Sequence, residues 1–247
     1  MLTEERYKKI LTLLEEKKSI TVAEITDLLG ISESTARRDI TALSKAGRLT
    51  KVFGGAVTND GTFVTQEPTV SQKIHVQTAE KRQIARYAAS LVVDTDFIYL
   101  DAGTTTGCMI DYLSDTKASF VTNAVAHAQK LASLGKQVFL IGGELKGSTE
   151  AVIGPQAMEA LERYHFTRGF FGTNGITRRD GFTTPDAGEA QVKRTAMGQC
   201  RQCYILADST KFGNISAVTF APFHAGIILT DKIAEGYEKN DMLIECQ

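Results

Sequence analysis

No run of apolar residues in this 247-residue chain approaches the ~20 that a membrane-spanning helix needs. The first stretch, "MLTEERYKKILTLLEEKK", is charged throughout and lacks the apolar segment of a secretory leader. Four cysteines in such a chain imply reduced thiols in a cytoplasm. Cys200 and Cys203 form a CxxC, but Cys108 and Cys246 lie too far off in sequence to complete a ligand set. His75, His127, His165 and His224 are isolated, so no metal centre and no cofactor are expected. A surplus of basic charge is missing as well: 28 Lys and Arg face 29 Asp and Glu, a net of -1. Taken over the whole chain this argues against a nucleic-acid partner, unless a basic module is hidden inside a neutral average. With 43% apolar and 23% charged residues the chain is expected to fold, and its length suits a small domain joined to a larger one.

The first sixty residues carry such a module. Tyr7, Ile10, Leu11 and Leu14 recur at helical spacing after Thr3, with Glu4 and Glu5 in the first turn. Thr21 and Glu24 have the spacing of a capping box, and Val22, Ile25, Leu28 and Leu29 are the expected core positions of the helix they open. Gly30 supplies a left-handed stop. Ser32 caps a third helix running to about Ala46 and closed by Gly47. Two helices joined by a short glycine-containing turn make a helix-turn-helix.

On a wheel of 100° per residue, Ala36, Ile40 and Leu43 of the third helix face the other two helices. Ser34, Arg38, Thr41 and Lys45 face outward, with Thr35 and Arg37 on the flanks. Small hydroxyls followed by cations suit a helix lying in a DNA major groove: serine and threonine fit close to base edges and phosphates, and arginine can bond guanine in bidentate fashion. Amides near Ser32 offer a place for a backbone phosphate. Beyond, "GRLTKVFGGAV" reads as a hairpin turning at Gly54-Gly55, the wing of a winged helix, with Arg48 and Lys51 able to reach phosphates. Residues 1–57 hold ten Lys and Arg against eight Asp and Glu, a modest local surplus of +2.

Residues 58–77, "TNDGTFVTQEPTVSQKIHVQ", are polar, contain Gly61 and Pro68, and read as a linker. From residue 78 to 247 helical segments such as "EKRQIARYAASLV" alternate with short apolar strands: "FIYL", "ASFVTN", "QVFLIGG", "FTRGFFGTNG", "CYILAD" and "AGIILTD". This predicts an α/β domain with a mainly parallel sheet covered on both faces, and ligands gather beyond the carboxyl ends of such strands. In "YLDAGTTTGCM" a strand ends at Asp101, Gly103 lets backbone approach a ligand, and Thr104, Thr105 and Thr106 open a helix. That is a phosphate cradle, though neither a Walker A loop nor GxGxxG. Asn123, Asn174, Asp208 and Lys211 follow other strands and supply groups for sugar hydroxyls and a cation for phosphate. Glu189 and Lys193 stand four apart on a helix, where a surface ion pair is the default and a ligand role, with Glu189 as the effector-binding candidate, the alternative.

Taken together these motifs resemble the DeoR-type bacterial transcriptional regulators. Arg6, "SxSTxRRDI" and "GRLTKVFGGA" match that family's DNA-binding region, except that Phe53 stands where the family usually has histidine. "EKRQIA", "DAGTTT", "VTN", "IGGE", "GTNGI" and "LADSTKF" occur in family order. The resemblance implies a C-terminal domain of the ribose-5-phosphate isomerase type, in which the loop matching "DAGTTT" holds a phosphate assisted by the lysine matching Lys211. "DAGTTTGCMI", "GSTEAVIG" and "FGTNGITxxxGFTTPD" are closest to the fructose-operon repressors of Gram-positive bacteria, which implies fructose 1-phosphate as effector.

The expected function is therefore a DNA-binding repressor of a sugar-utilisation operon, acting on operator half-sites as a homo-oligomer and controlled by a phosphorylated sugar. No membrane partner is expected. An isomerase-like enzyme with an attached DNA-binding module is the alternative, with Asp101, Asp208 and Glu189 as its carboxylates.

Overall fold

The computed structural model describes residues 3–17, 19–46, 48–52, 54–57, 63–64, 69–238 and 240–247. The chain divides into two units, Met1–Phe63 and Val64–Gln247.

In the first unit, α1 (Thr3–Lys17) is followed by β1 (Ser19–Thr21), α2 (Val22–Leu29), α3 (Glu33–Lys45), β2 (Thr50–Val52) and β3 (Gly55–Val57). Thr21 and Glu24 close the expected capping box, and Gly30 ends α2 at φ 60°. Ser32 caps α3 through the Thr35 amide. β2 and β3 form the wing hairpin, and β1 adds to the free edge of β3 to make an antiparallel sheet with β3 in the middle. No periodicity marks the three residues of β1. The core joins Ile10 and Leu14 of α1, Val22, Ile25 and Leu29 of α2, and Ala36, Ile40 and Leu43 of α3, with Leu49 and Ala56. Leu28, expected there, is 55% exposed. It lies 60° outside the arc that Val22, Ile25 and Leu29 span on a 100° wheel, and so turns to solvent. Gly47 and Phe53 lie outside the described residues.

A two-residue strand β4 (Phe63–Val64) falls at the unit boundary. The second unit begins with α4 (Val70–Ile74), capped by Thr69 and Gln72. Part of the segment read as linker is thus helical, and residues 58–62 and 65–68 of it lie outside the described residues. A single turn shows no hydrophobic period, which is why the pattern missed it. Then come α5 (Thr78–Ser90), β5 (Phe97–Leu100), α6 (Thr104–Met109), β6 (Ser119–Thr122), α7 (Val125–Ser133), β7 (Val138–Leu140), β8 (Glu144–Lys146), β9 (Ala151–Ile153), α8 (Pro155–Glu162), β10 (Phe166–Gly172), β11 (Gly175–Thr177), β12 (Gly181–Thr184), α9 (Ala187–Gly198), β13 (Cys200–Leu206), β14 (Ile215–Ser216), β15 (Val218–Ala221), β16 (Ile227–Thr230) and β17 (Leu243–Glu245).

The main sheet runs β17-β16-β13-β10-β5-β6-β7, with every neighbouring pair parallel. Alternate residues serve its two faces, as a strand's period of two requires. Tyr99, Phe171, Ile205 and Ile228 pack with α8 and α9, whereas Ile98, Leu100, Phe170, Leu206 and Leu229 pack with α5 and α6. The hairpin β8–β9 and the small antiparallel sheet β11-β12-β15 stand apart from the main sheet. From β5 the chain proceeds outward to β6 and β7, then crosses back to place β10, β13, β16 and β17 on the other side. The order therefore reverses between β5 and β10, the place where α/β sheets open a ligand crevice. Asp101 and Gly172 stand at the carboxyl ends of those two strands.

Candidate functional site

Two surfaces carry the residues singled out from the sequence, one in each unit. In the first unit Ser32, Ser34, Arg37, Arg38, Arg48 and Lys51 are exposed, and Thr35 and Thr41 are half-buried. Ser32 Oγ lies 2.9 Å from both Ser34 Oγ and Thr35 Oγ1, so the hydroxyls at the start of α3 form one small network. Arg37 reaches Glu33 one turn back at 3.2 Å. Arg38 has no ion pair or hydrogen bond among the described residues. Thr41 bonds the Arg37 carbonyl at 2.7 Å and accepts from Lys51 Nζ at 3.1 Å, which fastens the wing to the middle of α3. The side chain of Lys45 lies outside the described residues. Beneath this face, Arg6 of α1 grips the buried carboxylate of Asp39 through Nε at 2.7 Å and a second nitrogen at 3.1 Å. The aspartate of "RRDI" thus fixes the helix, while the two arginines before it stay outside.

In the second unit a cavity of about 460 Å³ opens at the β5–β10 switch point. Gly103, Thr104, Thr105, Asn174, Glu189, Asp208 and Lys211 all line it. Lys193 lines it as well, as do Lys81 and Thr149, which the sequence does not single out. Lys193 and Asp101 are 4% and 1% exposed and form a buried ion pair. Lys193 also donates to the Gly172 carbonyl at 3.1 Å, with its ammonium 5.5 Å from the centre of the Phe220 ring. Burial pushes the Asp101 carboxyl above its ordinary value, against the pull of Lys193. Glu189 pairs with Lys146 at 3.0 Å and accepts from Thr149. Asp208 accepts from the Thr210 amide at 3.2 Å, with Lys211 Nζ 3.8 Å away.

Four expectations are corrected here. Asp101 does not line the cavity; it lies behind Lys193 and holds that ammonium in place. Thr106 is fully buried and donates to the carbonyls of Asp101 and Gly103 at 2.7 and 2.9 Å, so its hydroxyl shapes the turn and does not face a ligand. Asn123 accepts from the Ala102 amide at 2.8 Å and donates to the Val152 carbonyl at 3.3 Å; both ends of its amide brace the loop. Glu189 and Lys193 are buried and bond to other partners, because that face of α9 turns into the sheet rather than to water. The four-residue spacing was visible in the sequence, but the opposing groups come from β5, β8 and the β10 end.

A second cavity, about 350 Å³, meets the first at Ala102–Thr104 and Thr149. His127 borders it, with Nδ1 enclosed and without a partner among the described residues; burial lowers this imidazole to about 4. Cys200 and Cys203 lie away from both cavities, their thiols donating to the carbonyls of Ala196 and Met197.

The comparisons with known proteins fall on the same two units. The DeoR-like helix-turn-helix domain matches residues 6–62, and the DeoR C terminal sensor domain matches residues 76–232. The chain belongs to the DeoR family. It is 42% identical over 233 residues to the uncharacterized HTH-type transcriptional regulator FruR of Bacillus subtilis strain 168, covering 94% of this chain and 92% of the relative. It is 34% identical to the lactose phosphotransferase system repressor of Streptococcus mutans, over 89% of this chain and 88% of the other. The HTH-type transcriptional repressor GlcR of B. subtilis is 32% identical, over 94% and 90%. Among solved structures, ribose 5-phosphate isomerase A from Methanocaldococcus jannaschii aligns over 53% of each chain at 14% identity and a TM-score of 0.41. As a DeoR-family member the protein is a DNA-binding transcriptional regulator, not an enzyme. No described helix is long and apolar enough to cross a membrane.

Proposed function

We propose that this DeoR-family protein is a cytoplasmic repressor of a sugar-utilisation operon, and that a phosphorylated sugar, fructose 1-phosphate, lowers its affinity for operator DNA. The observation that carries the reading is one cavity that gathers unlike groups at the switch point. Lys193, Lys211 and the Thr104–Thr105 turn offer cations and donors to a phosphate, while Glu189, Asp208 and Asn174 offer acceptors to hydroxyls. A sugar monophosphate has one end of each kind. The names of the FruR and lactose-system relatives support a sugar signal, and the greater identity to FruR supports fructose.

In the DNA-binding unit Arg38 reads the major groove and Ser34, Thr35, Arg37 and Thr41 accompany it. Ser32, Arg48 and Lys51 position the unit on phosphates, and Lys45 is the further DNA-binding candidate that the sequence offers. One such unit covers too little DNA for specific binding, so a homo-oligomer bridging two half-sites is part of the proposal.

A gel-shift titration tests both halves. The DNA upstream of the protein's own operon is titrated with the full chain, then challenged with fructose 1-phosphate, tagatose 6-phosphate, glucose 6-phosphate and ribose 5-phosphate. Fructose 1-phosphate is expected to release the DNA at the lowest concentration, and Lys211→Ala is expected to bind DNA normally while resisting release. Release of Lys211→Ala at the wild-type concentration, or no release by any phosphosugar, would overturn the reading.

A further inference from the structure

The two adjacent arginines of α3 are both exposed, yet they are held differently. Arg37 Nη2 reaches the carboxylate of Glu33 at 3.2 Å, one turn nearer the start of the helix. Arg38 has no ion pair or hydrogen bond among the described residues. A helical side chain leans toward the N-terminus of its own helix, and the contact with Glu33 draws the Arg37 guanidinium further back, over the first turn of α3. That turn also carries the hydroxyl network of Ser32, Ser34 and Thr35. In a helix-turn-helix it is the first turns of the recognition helix that meet base edges.

Stability does not account for the pair. Both side chains are more than half exposed, and an ion pair four residues apart in water adds little to a fold. The helix dipole favours a carboxylate in a first turn, which explains why Glu33 is tolerated there but not why it grips Arg37. On a face that meets DNA the same carboxylate is a burden, because it repels the phosphates that the neighbouring cations attract. The guanidinium has five donors in a rigid fork, and a guanine edge takes two of them. The contact with Glu33 occupies one nitrogen and leaves donors for a base. A free arginine can settle equally well on a phosphate. One tied to a carboxylate cannot, since the carboxylate must approach the phosphate with it.

We propose that Glu33 is a specificity-determining positioning residue: it holds the Arg37 guanidinium over the first turn of α3 for bidentate bonding to one guanine and keeps it off the phosphates. Arg38, untethered, is set in place only by the DNA. The role of Glu33 depends on α3 lying in the major groove and is independent of which effector the second unit takes.

Competition binding with the full chain, in the absence of effector, tests it. The wild type selects its operator from a pool of random duplexes, and each G·C pair of that operator is then replaced in turn by A·T. Arg37→Ala should lose discrimination at one position of each half-site, by about five- to a hundredfold. Glu33→Gln should lose about three- to tenfold at that same position and at no other. It should also bind a scrambled duplex about three- to tenfold more tightly, because one repelling charge is gone. The double variant Glu33→Gln/Arg37→Ala should match Arg37→Ala at that position, since Glu33 acts there only through Arg37. Discrimination is a ratio of two affinities of one preparation, so a partly folded variant still reports it. Full discrimination by Glu33→Gln at the position that Arg37 reads overturns the proposal. So does a double variant that loses more there than Arg37→Ala, because Glu33 would then meet a base itself. An Arg37→Ala chain that loses affinity equally for operator and scrambled duplex behaves as if a phosphate contact had gone, and it too overturns the proposal. If no duplex is selected, the groove placement falls and the role of Glu33 with it.

Discussion

The ammonium of Lys193 on α9 is locked between the carboxylate of Asp101, at the end of β5, and the carbonyl of Gly172, at the end of β10. One side chain thus pins together the two strands at which the sheet reverses direction. Removing it strands a buried carboxylate whose remaining donor among the described residues is the Gly172 amide at 3.0 Å. Lys193→Met should lower the stability of the second unit by roughly 3–5 kcal/mol, as broken buried ion pairs do. The double variant Lys193→Met/Asp101→Asn should recover much of that loss, since no lone charge is left inside. Urea unfolding of the three proteins checks this; a double variant no more stable than Lys193→Met would refute the pairing as the cause.

Arg6 and Asp39 form the corresponding lock in the first unit. Neither needs to meet DNA, because Asp39 is 2% exposed beneath the outward face of α3. Asp39→Ala should weaken operator binding and lower the melting temperature of the first unit together, because the two-pronged contact of Arg6 with Asp39 is lost. Arg38→Ala should weaken binding without lowering the melting temperature, because Arg38 is exposed and supports nothing in the fold. Its salt slope should fall by about one. Calorimetry beside salt-dependent gel shifts separates the two effects.

The paired glycines of the wing should respond unequally. Gly54 has φ 79° with open space around a Cβ, so Gly54→Ala carries only the left-handed strain of about 1 kcal/mol. At Gly55 a Cβ would lie 2.1 Å from the Ile20 carbonyl oxygen on the neighbouring strand β1. Gly55→Ala should therefore break the β1–β3 pairing and abolish operator binding, while Gly54→Ala retains most of it. Equal effects of the two substitutions in a gel shift would contradict the sheet.

His127 sets a dependence on pH. Burial lowers its folded pKa from 6.5 to about 4. Below pH 6.5 the unfolded chain takes up a proton that the folded chain refuses, so the folded state loses stability as pH falls from 6.5 toward 4. The loss from this residue is at most ~3 kcal/mol. His127→Gln should lose less stability than the wild type over that interval, with the two stability curves converging as the solution is acidified. Parallel urea midpoints at pH 7 and pH 4.5 would count against it.

Much of this was legible beforehand for identifiable reasons. Thr21 with Glu24, Gly30 and Ser32 are local signals, set by hydrogen bonds within one turn, and they hold whatever surrounds them. Six of the seven strands of the main sheet were visible as apolar runs, and β17, only three residues long, was not. β1, β8, β9, β11 and β12 were not, since three or four residues carry no period, and β1 exists because β3 has a free edge to pair with. The cavity shows the same divide. Thr104, Thr105, Asp208 and Lys211 were found because each follows a strand directly. Lys81 was not, and Lys193 was read by default as half of a surface ion pair, because each lies within a helix and is defined by what opposes it.

By itself, then, the sequence determined the parts whose causes are near neighbours: the capped helices, the outward cations of α3, the order of strand and helix, and the glycine-threonine turn after β5. Folding in three dimensions decided which charges are buried and paired. It put Asp101 behind Lys193 rather than before a ligand, turned the amide of Asn123 onto backbone, and drew Lys81 to the carbonyl of Lys73. The physical reason is that a charge's role depends on its desolvation and its partner, and both are supplied here by residues 8 to 92 positions away along the chain.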